Sequence, residues 1–214
     1  MSKSILIIGA GPGISTAVAE KFGQNGYSIG LINRDVERAK TIIDGLAGKN
    51  ITAFSSTADV ADTAALQEAI TDLKGKLGGI NVVLYNAAVI KIKDILSETS
   101  ETLAADFKVN VGAALESIKF LYNDLKRNGG AVLLTGGGLA NHPHPMYGSL
   151  SIGKAGIRNL ALQLHDPLKA VGIYLGTLTI TNEVTPNSAT HSFVIVADKF
   201  WELFLNRSEV ESQL

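Results

Sequence analysis

A single-domain α/β fold, a doubly wound parallel sheet with helices on both faces, is predicted by three observations. Short apolar runs alternate with helical patterns from one end of the chain to the other, which is the signature of parallel strands joined by right-handed helical crossovers. The first of these runs, Ile5 to Ile8, discharges straight into glycines at 9, 11 and 13. The composition, 46% apolar and 18% charged over 214 residues, is enough to bury a substantial core, so residues 1–214 are read as one domain.

Taken in order, strands are predicted at 4–8, 27–33, 51–57, 80–86, 131–135 and 172–178. After the first strand, Gly9, Gly11, Pro12 and Gly13 let the backbone turn sharply and leave no side chain between the main chain and a ligand. A helix starting at Ile14 then points its unpaired N–H groups and positive dipole end at the turn, which suits a pyrophosphate. A glycine cluster alone is weak; with a buried strand before it, a helix after it and a second strand within one βαβ length, it points to a dinucleotide.

The second strand ends in Asn33 and Arg34, with no carboxylate before Asp35. In dinucleotide folds this position meets the adenosine ribose, where an arginine accepts a 2′-phosphate and an acid bonds a 2′-hydroxyl, so NADP is favoured over NAD. The bland alternative is a solvated Arg34 at a helix start. Past the third strand come Asp59 and Val60; Asp59 is placed to hold an adenine amino group, with a plain turn residue the alternative. Asn86, Ala87 and Ala88 follow the fourth strand and offer one polar and two small side chains to the middle of a dinucleotide; Asn86 can also simply tie loop backbone.

A long helix over about 99–122 carries an apolar stripe of Leu103, Phe107, Val111, Ala114, Ile118 and Leu121, and Asn110 lies on it. A buried amide needs partners, so Asn110 either bridges backbone or serves a site. The helix over about 149–170 repeats the anomaly with Lys154, among Leu150, Ile157, Leu160, Ala161 and Leu164. A lysine on an apolar stripe either snorkels out or pairs with something in a cleft. Residues 182–191 are polar and loop-like, and Ala197, Phe200, Trp201 and Phe204 mark one face of a last helix. This 182–207 segment reads as a short lid and a helix, with Trp201 in the core or over an apolar substrate.

Net charge is −1 and there are no cysteines. That excludes a basic nucleic-acid field, disulfides and thiolate chemistry, and no stretch has the length of a membrane span. His142 and His144 form a weak His-x-His signal without a third ligand, so no metal is expected. The expectation is a cytoplasmic protein that acts on a small molecule and binds neither nucleic acid nor membrane.

In these ordered motifs, Gly9 to Ile14, Arg34, Asp59-Val60, Asn86-Ala87-Ala88, Asn110 and Lys154, the chain resembles the short-chain dehydrogenase/reductase family from Ser4 to about Leu178. The resemblance implies a Rossmann-like fold, an NAD(P)-dependent oxidoreductase, and a homodimer or homotetramer. The departures lie in the chemistry. Where the family has a tyrosine four residues before its lysine, this chain has Leu150; where it has an oxyanion-orienting serine, Gly137 is the equivalent; Ser15 replaces the third glycine, and Thr179 and Ile180 replace a Pro-Gly pair. A positioned acid or base supplies ~10²–10⁴ in rate and an oxyanion donor ~10²–10³. Tyr147, seven residues before Lys154, is the candidate stand-in, with His144, Ser149 and Ser151 nearby. Two functions follow: an NADP-dependent oxidoreductase with an atypical proton donor, or an NADP-binding pseudoenzyme acting as redox sensor or scaffold. An isomerase or lyase holding NADP structurally is a third.

Overall fold

A computed structural model describes residues 3–214. Seven strands form one parallel sheet: β1 (Ser4–Ile8), β2 (Ser28–Asn33), β3 (Ala53–Thr57), β4 (Val82–Tyr85), β5 (Ala131–Thr135), β6 (Tyr174–Thr179) and β7 (Glu211–Gln213), in the order β3-β2-β1-β4-β5-β6-β7. Strand order reverses beside β1, between β2 and β4, and a crevice opens there at the carboxyl ends.

Side chains alternate across β1, so Ile5 and Ile7 enter one core while Leu6 and Ile8 enter the other. The Ile5/Ile7 face is covered by α1 (Ile14–Gln24), α2 (Val36–Ala47) and α7 (Phe193–Asn206). The opposite face is covered by α3 (Thr63–Leu77), α5 (Ala113–Asn128) and α6 (Gly148–Lys169). Five of the seven strands are buried at every position or all but their first, as expected of a sheet covered on both sides.

Three expectations are corrected. The sheet has a seventh strand; Glu211–Gln213 is three residues long and polar, and it is held by Arg158 of α6, whose Nε donates to both Glu211 carboxylate oxygens at 2.9 Å. The helix expected over 99–122 is α4 (Ser100–Phe107), a π-turn (Lys108–Gly112) and then α5, which runs on to Asn128. The wider turn rotates α4 relative to α5, so a stripe read at constant helical pitch goes astray: Phe107 is 42% exposed and Asp106 is the buried residue of that turn. Strands β2, β3, β4 and β6 start one or two residues later than predicted, because residues such as Tyr27 and Ile80 are buried in the loops that enter them. Trp201 is half-buried against the core: it meets Phe22 edge to face at 4.9 Å and packs with Tyr27 and Phe204.

Candidate functional site

The glycine turn does three different jobs. Gly9 has φ +87° and Gly13 φ +97°. A Cβ on Gly9 would lie 2.3 Å from the Ala87 nitrogen, and one on Gly13 would lie 2.8 Å from the Phe193 ring. Gly11 has nothing within 4 Å. Only Gly11 leaves open space, which corrects the expectation that all three glycines clear the way for a ligand; the other two let β4's loop and α7 pack against the turn. Ser15 Oγ donates to Gly9 O at 3.1 Å and Thr16 Oγ1 to Gly11 O at 3.0 Å, bracing the turn from inside. No acidic side chain occupies the first turn of α1 and no side chain caps it, so its N–H groups and dipole remain available to an anion.

A groove of about 400 Å³ runs along the carboxyl ends of β1, β2, β3 and β4. Its wall brings together Gly9, Gly11, Asn33, Arg34, Asp59, Val60, Asn86, Ala87 and Ala88, nine of the residues expected to hold a dinucleotide. Pro12, Gly13, Ile14 and Lys154 lie outside that wall. Asn33 is 7% exposed, and neither its Nδ2 nor its Oδ1 has a hydrogen-bond partner. A buried amide left this way carries a desolvation penalty of roughly 1–3 kcal/mol, which a ligand with both donor and acceptor groups would relieve. Asp59 Oδ1 accepts from Ala61 N–H at 2.9 Å, so its turn role and a ligand role coexist. A larger, open hollow of about 830 Å³ lies between α3 and α5 at the amino end of the sheet. Its two cations share one carboxylate, with Lys74 Nζ 2.6 Å and Arg127 Nη1 3.5 Å from Asp124.

From Asn86 on the groove wall a run of polar groups leads to Lys154. Asn86 Nδ2 donates to Ser15 Oγ at 2.8 Å, and Asn86 Oδ1 accepts from Thr135 Oγ1 at 2.8 Å. Lys154 Nζ donates to Thr135 O at 2.7 Å. Burial pushes the Lys154 ammonium down to about 8, because a charge loses hydration inside the protein. The Lys154 stem crosses Gly137, where an added Cβ would sit 3.3 Å from its Cδ and Cε. Leu150, one turn earlier on α6, is buried at 7% exposure.

Asn110 sits in the π-turn with its Oδ1 accepting from Val89 N–H at 2.7 Å, while its Nδ2 is buried against Gly153 without a partner. Tyr147 is the residue before α6, at φ −123° and ψ 40°. The helical extension that would set it on the Lys154 face is therefore absent, and its ring meets the His144 ring at 5.8 Å. The backbone of Lys93 bridges to Tyr147, tying the β4–α4 loop to the start of α6.

The chain matches the short chain dehydrogenase family over residues 3–190. It belongs to that family. Among its relatives, L-2,3-butanediol dehydrogenase of Corynebacterium glutamicum is 32% identical over 113 residues, 52% of this chain and 44% of that protein. The 2,3-dihydro-2,3-dihydroxybenzoate dehydrogenase of Bacillus subtilis is 26% identical over 213 residues, 98% of this chain and 76% of that protein. Several matches are partial in length: this chain covers 56% of a Pseudocercospora fijiensis short chain dehydrogenase and 61% of a Sus scrofa dehydrogenase/reductase. In fold, an alcohol dehydrogenase from Thermococcus sibiricus complexed with 5-hydroxy-NADP superposes with TM-score 0.88 at 21% identity, covering 99% of this chain and 95% of that one. A Burkholderia cenocepacia short chain dehydrogenase in complex with NADP gives 0.90 at 20% identity, covering 100% and 96%.

The chain also has groove residues that sequence reasoning missed. Arg38, Asp35, Val89 and Val109 line the wall. Arg38 was legible in principle, since it lies one helical turn past Arg34. Val109 was not, because only the π-turn brings it there. Among the described residues no helix is long and apolar enough to cross a membrane.

Proposed function

We propose that the protein binds NADP in this groove and is an oxidoreductase for a small carbonyl or alcohol, with an atypical proton donor. The observation that carries the reading is the fit of the groove: Gly11 opens onto free space beside the unpartnered Asn33 amide and the Arg34 guanidinium. Gly9, Gly11, Pro12, Gly13 and Ile14 form the pyrophosphate turn. Asn33 and Arg34 take the phosphorylated ribose, Asp59 and Val60 the adenine, and Asn86, Ala87 and Ala88 the middle of the dinucleotide. Lys154 holds the second ribose, and Asn110 anchors the loop at Val89.

When bound in its reduced form, the cofactor supplies a hydride to the carbonyl carbon of the substrate. A protein group must then deliver a proton to the carbonyl oxygen. Leu150 has no proton to give, and Gly137 offers no hydroxyl to orient the oxygen. Tyr147 is proposed as the donor, as the phenol at the head of the helix that bears Lys154. Lys154, with its lowered proton affinity, is charged at neutral pH and would stabilise an alkoxide formed beside it. Exposed apolar side chains on α4 and α6, Phe107 at 42%, Ile152 at 40% and Leu162 at 43%, support a homodimer or homotetramer. A cysteine-free chain suits the cytoplasm.

The second reading, a pseudoenzyme that senses or scaffolds through bound NADP, is favoured by Leu150 and Gly137 themselves. Deuteride transfer separates the two: NADPH deuterated at the nicotinamide C4 is incubated with small ketones and aldehydes, and the alcohol products are examined by mass spectrometry. Stereospecific transfer supports the enzyme. Tight NADPH binding with no transfer to any of them supports the sensor.

A further inference from the structure

The π-turn at Lys108–Gly112 leaves a carbonyl to be satisfied from outside the helix. In a regular α-helix the Ala113 N–H would donate to Val109 O, four residues back; here it donates to Lys108 O, five back. The Val109 carbonyl accepts instead from the hydroxyl of Tyr85, the last residue of β4. Tyr85 is 2% exposed and sits in the apolar core shared with α3 and α5. Burial, with the negative charge of Asp59 adding to it, raises the proton affinity of the phenol, so it stays a neutral donor. A phenylalanine would fill the same space; the hydroxyl is needed only where a buried carbonyl would otherwise go unpaired. What this turn positions lies on the groove. Val109 is on its wall, and Asn110 Oδ1 accepts from the N–H of Val89, a second wall residue, at 2.7 Å. One residue more or less in a helix turns what precedes it by about 100°, so at regular pitch Val109 and Asn110 would not both keep these places.

We infer that Tyr85 is a positioning residue for the groove: its hydroxyl holds the π-turn at Val109, and the π-turn, through Asn110, fixes the Val89 stretch of the wall. The inference rests on the NADP reading above for what fills the groove. Tyr85 acts through Val109 and Asn110 rather than on a ligand. Without its hydroxyl the Val109 carbonyl is best satisfied by the Ala113 N–H, the helix closes to regular pitch, and Val89 loses its anchor. A wall segment that fluctuates must then be ordered again when the cofactor binds, at the expense of affinity.

Amide hydrogen exchange of the free full chain, followed by NMR, reads these contacts at the Val89 N–H. In Tyr85→Phe the Val89 amide is expected to exchange about tenfold faster, as loss of one buried hydrogen bond does, while Val83 and Leu84 in β4 keep their wild-type rates. Asn110→Ala is expected to give the same loss at Val89, and adding Tyr85→Phe to it no further loss, since the two residues act in series. NADPH binding to Tyr85→Phe, by fluorescence titration, is expected to weaken about five- to tenfold. Tyr85→Met, also apolar and without a hydroxyl, repeats the test if Tyr85→Phe does not fold. Wild-type Val89 exchange in a folded Tyr85 variant, faster exchange spread evenly over β4, additive losses in the double variant, or wild-type NADPH affinity with Val89 released each overturns the inference. A wild-type chain that does not bind NADPH overturns the NADP reading instead, and the Val89 exchange still decides whether Tyr85 holds the turn.

Discussion

The two halves of the sheet's carboxyl edge treat their polar groups in opposite ways. Around β1, β2 and β3 polar groups stand ready for something outside the chain: Gly11 faces open space, α1 has an uncapped first turn, and the Asn33 amide is buried without a partner. Around β4, β5 and α6 most of them close on one another, in a run from Ser15 through Asn86 and Thr135 to Lys154, with the Asn110 Nδ2 beside Gly153 the exception. The side chains next to that run, Leu150 and Gly137, carry no group that can donate or orient a proton. The open polar groups thus lie in the half proposed to bind, and few lie in the half proposed to do chemistry.

The strongest way to break the comparison is at the glycines. Gly9→Ala is expected to destabilise the fold by about 3 kcal/mol or more, through positive φ and a clash with the Ala87 backbone, read as a lowered denaturant midpoint. Gly11→Ala, with room on every side, should leave that midpoint unchanged. Equal destabilisation by both would mean that Gly11 is a structural glycine too and that the open space beside it is not built for a ligand.

The next effect lies in the chemical half. Leu150→Tyr returns a phenol one turn before Lys154 and is expected to raise carbonyl reduction by about 10²-fold, the contribution of a positioned acid; Tyr147→Phe in the wild type is expected to lower it by a similar ~10²-fold. Unchanged steady-state rates in Tyr147→Phe would remove Tyr147 as the donor.

How far the molecule was legible from its sequence follows the same divide between local and distant causes. Strands such as Ser4–Ile8 and Ala131–Thr135 are continuous apolar runs, and they fall where periodicity puts them. The Asn33, Arg34, Asp59 and Asn86 positions are legible because βαβ topology sends every strand's carboxyl end to one edge. The separate duties of the glycines are not, since Ala87 and Phe193 meet Gly9 and Gly13 from distant parts of the chain. Nor is the exposure of Phe107, which depends on a π-turn that no residue pattern announces. Strand β7 is hidden because its pairing rests on Arg158 and Thr179 rather than on its own apolarity.

Smaller effects sharpen the contrast. Arg34→Ala is expected to weaken NADPH about tenfold while changing NADH within about twofold, the mark of a lost phosphate contact; equal losses would refute the 2′-phosphate assignment. Lys154 is protonated below about pH 8 and neutral above it. Turnover that depends on its charge should therefore fall as pH rises through about 8, and Lys154→Arg, which does not titrate there, should abolish that fall. A pH profile identical in wild type and Lys154→Arg would assign the titration to another group.

The most direct test of the central claim is a fluorescence titration of the purified protein with NADPH, run beside Gly11→Val. Saturable binding by the wild type, lost in Gly11→Val at an unchanged melting temperature, is the predicted result. A wild-type chain that shows no saturable NADPH binding, or a Gly11→Val variant that binds as well as wild type, would contradict the account.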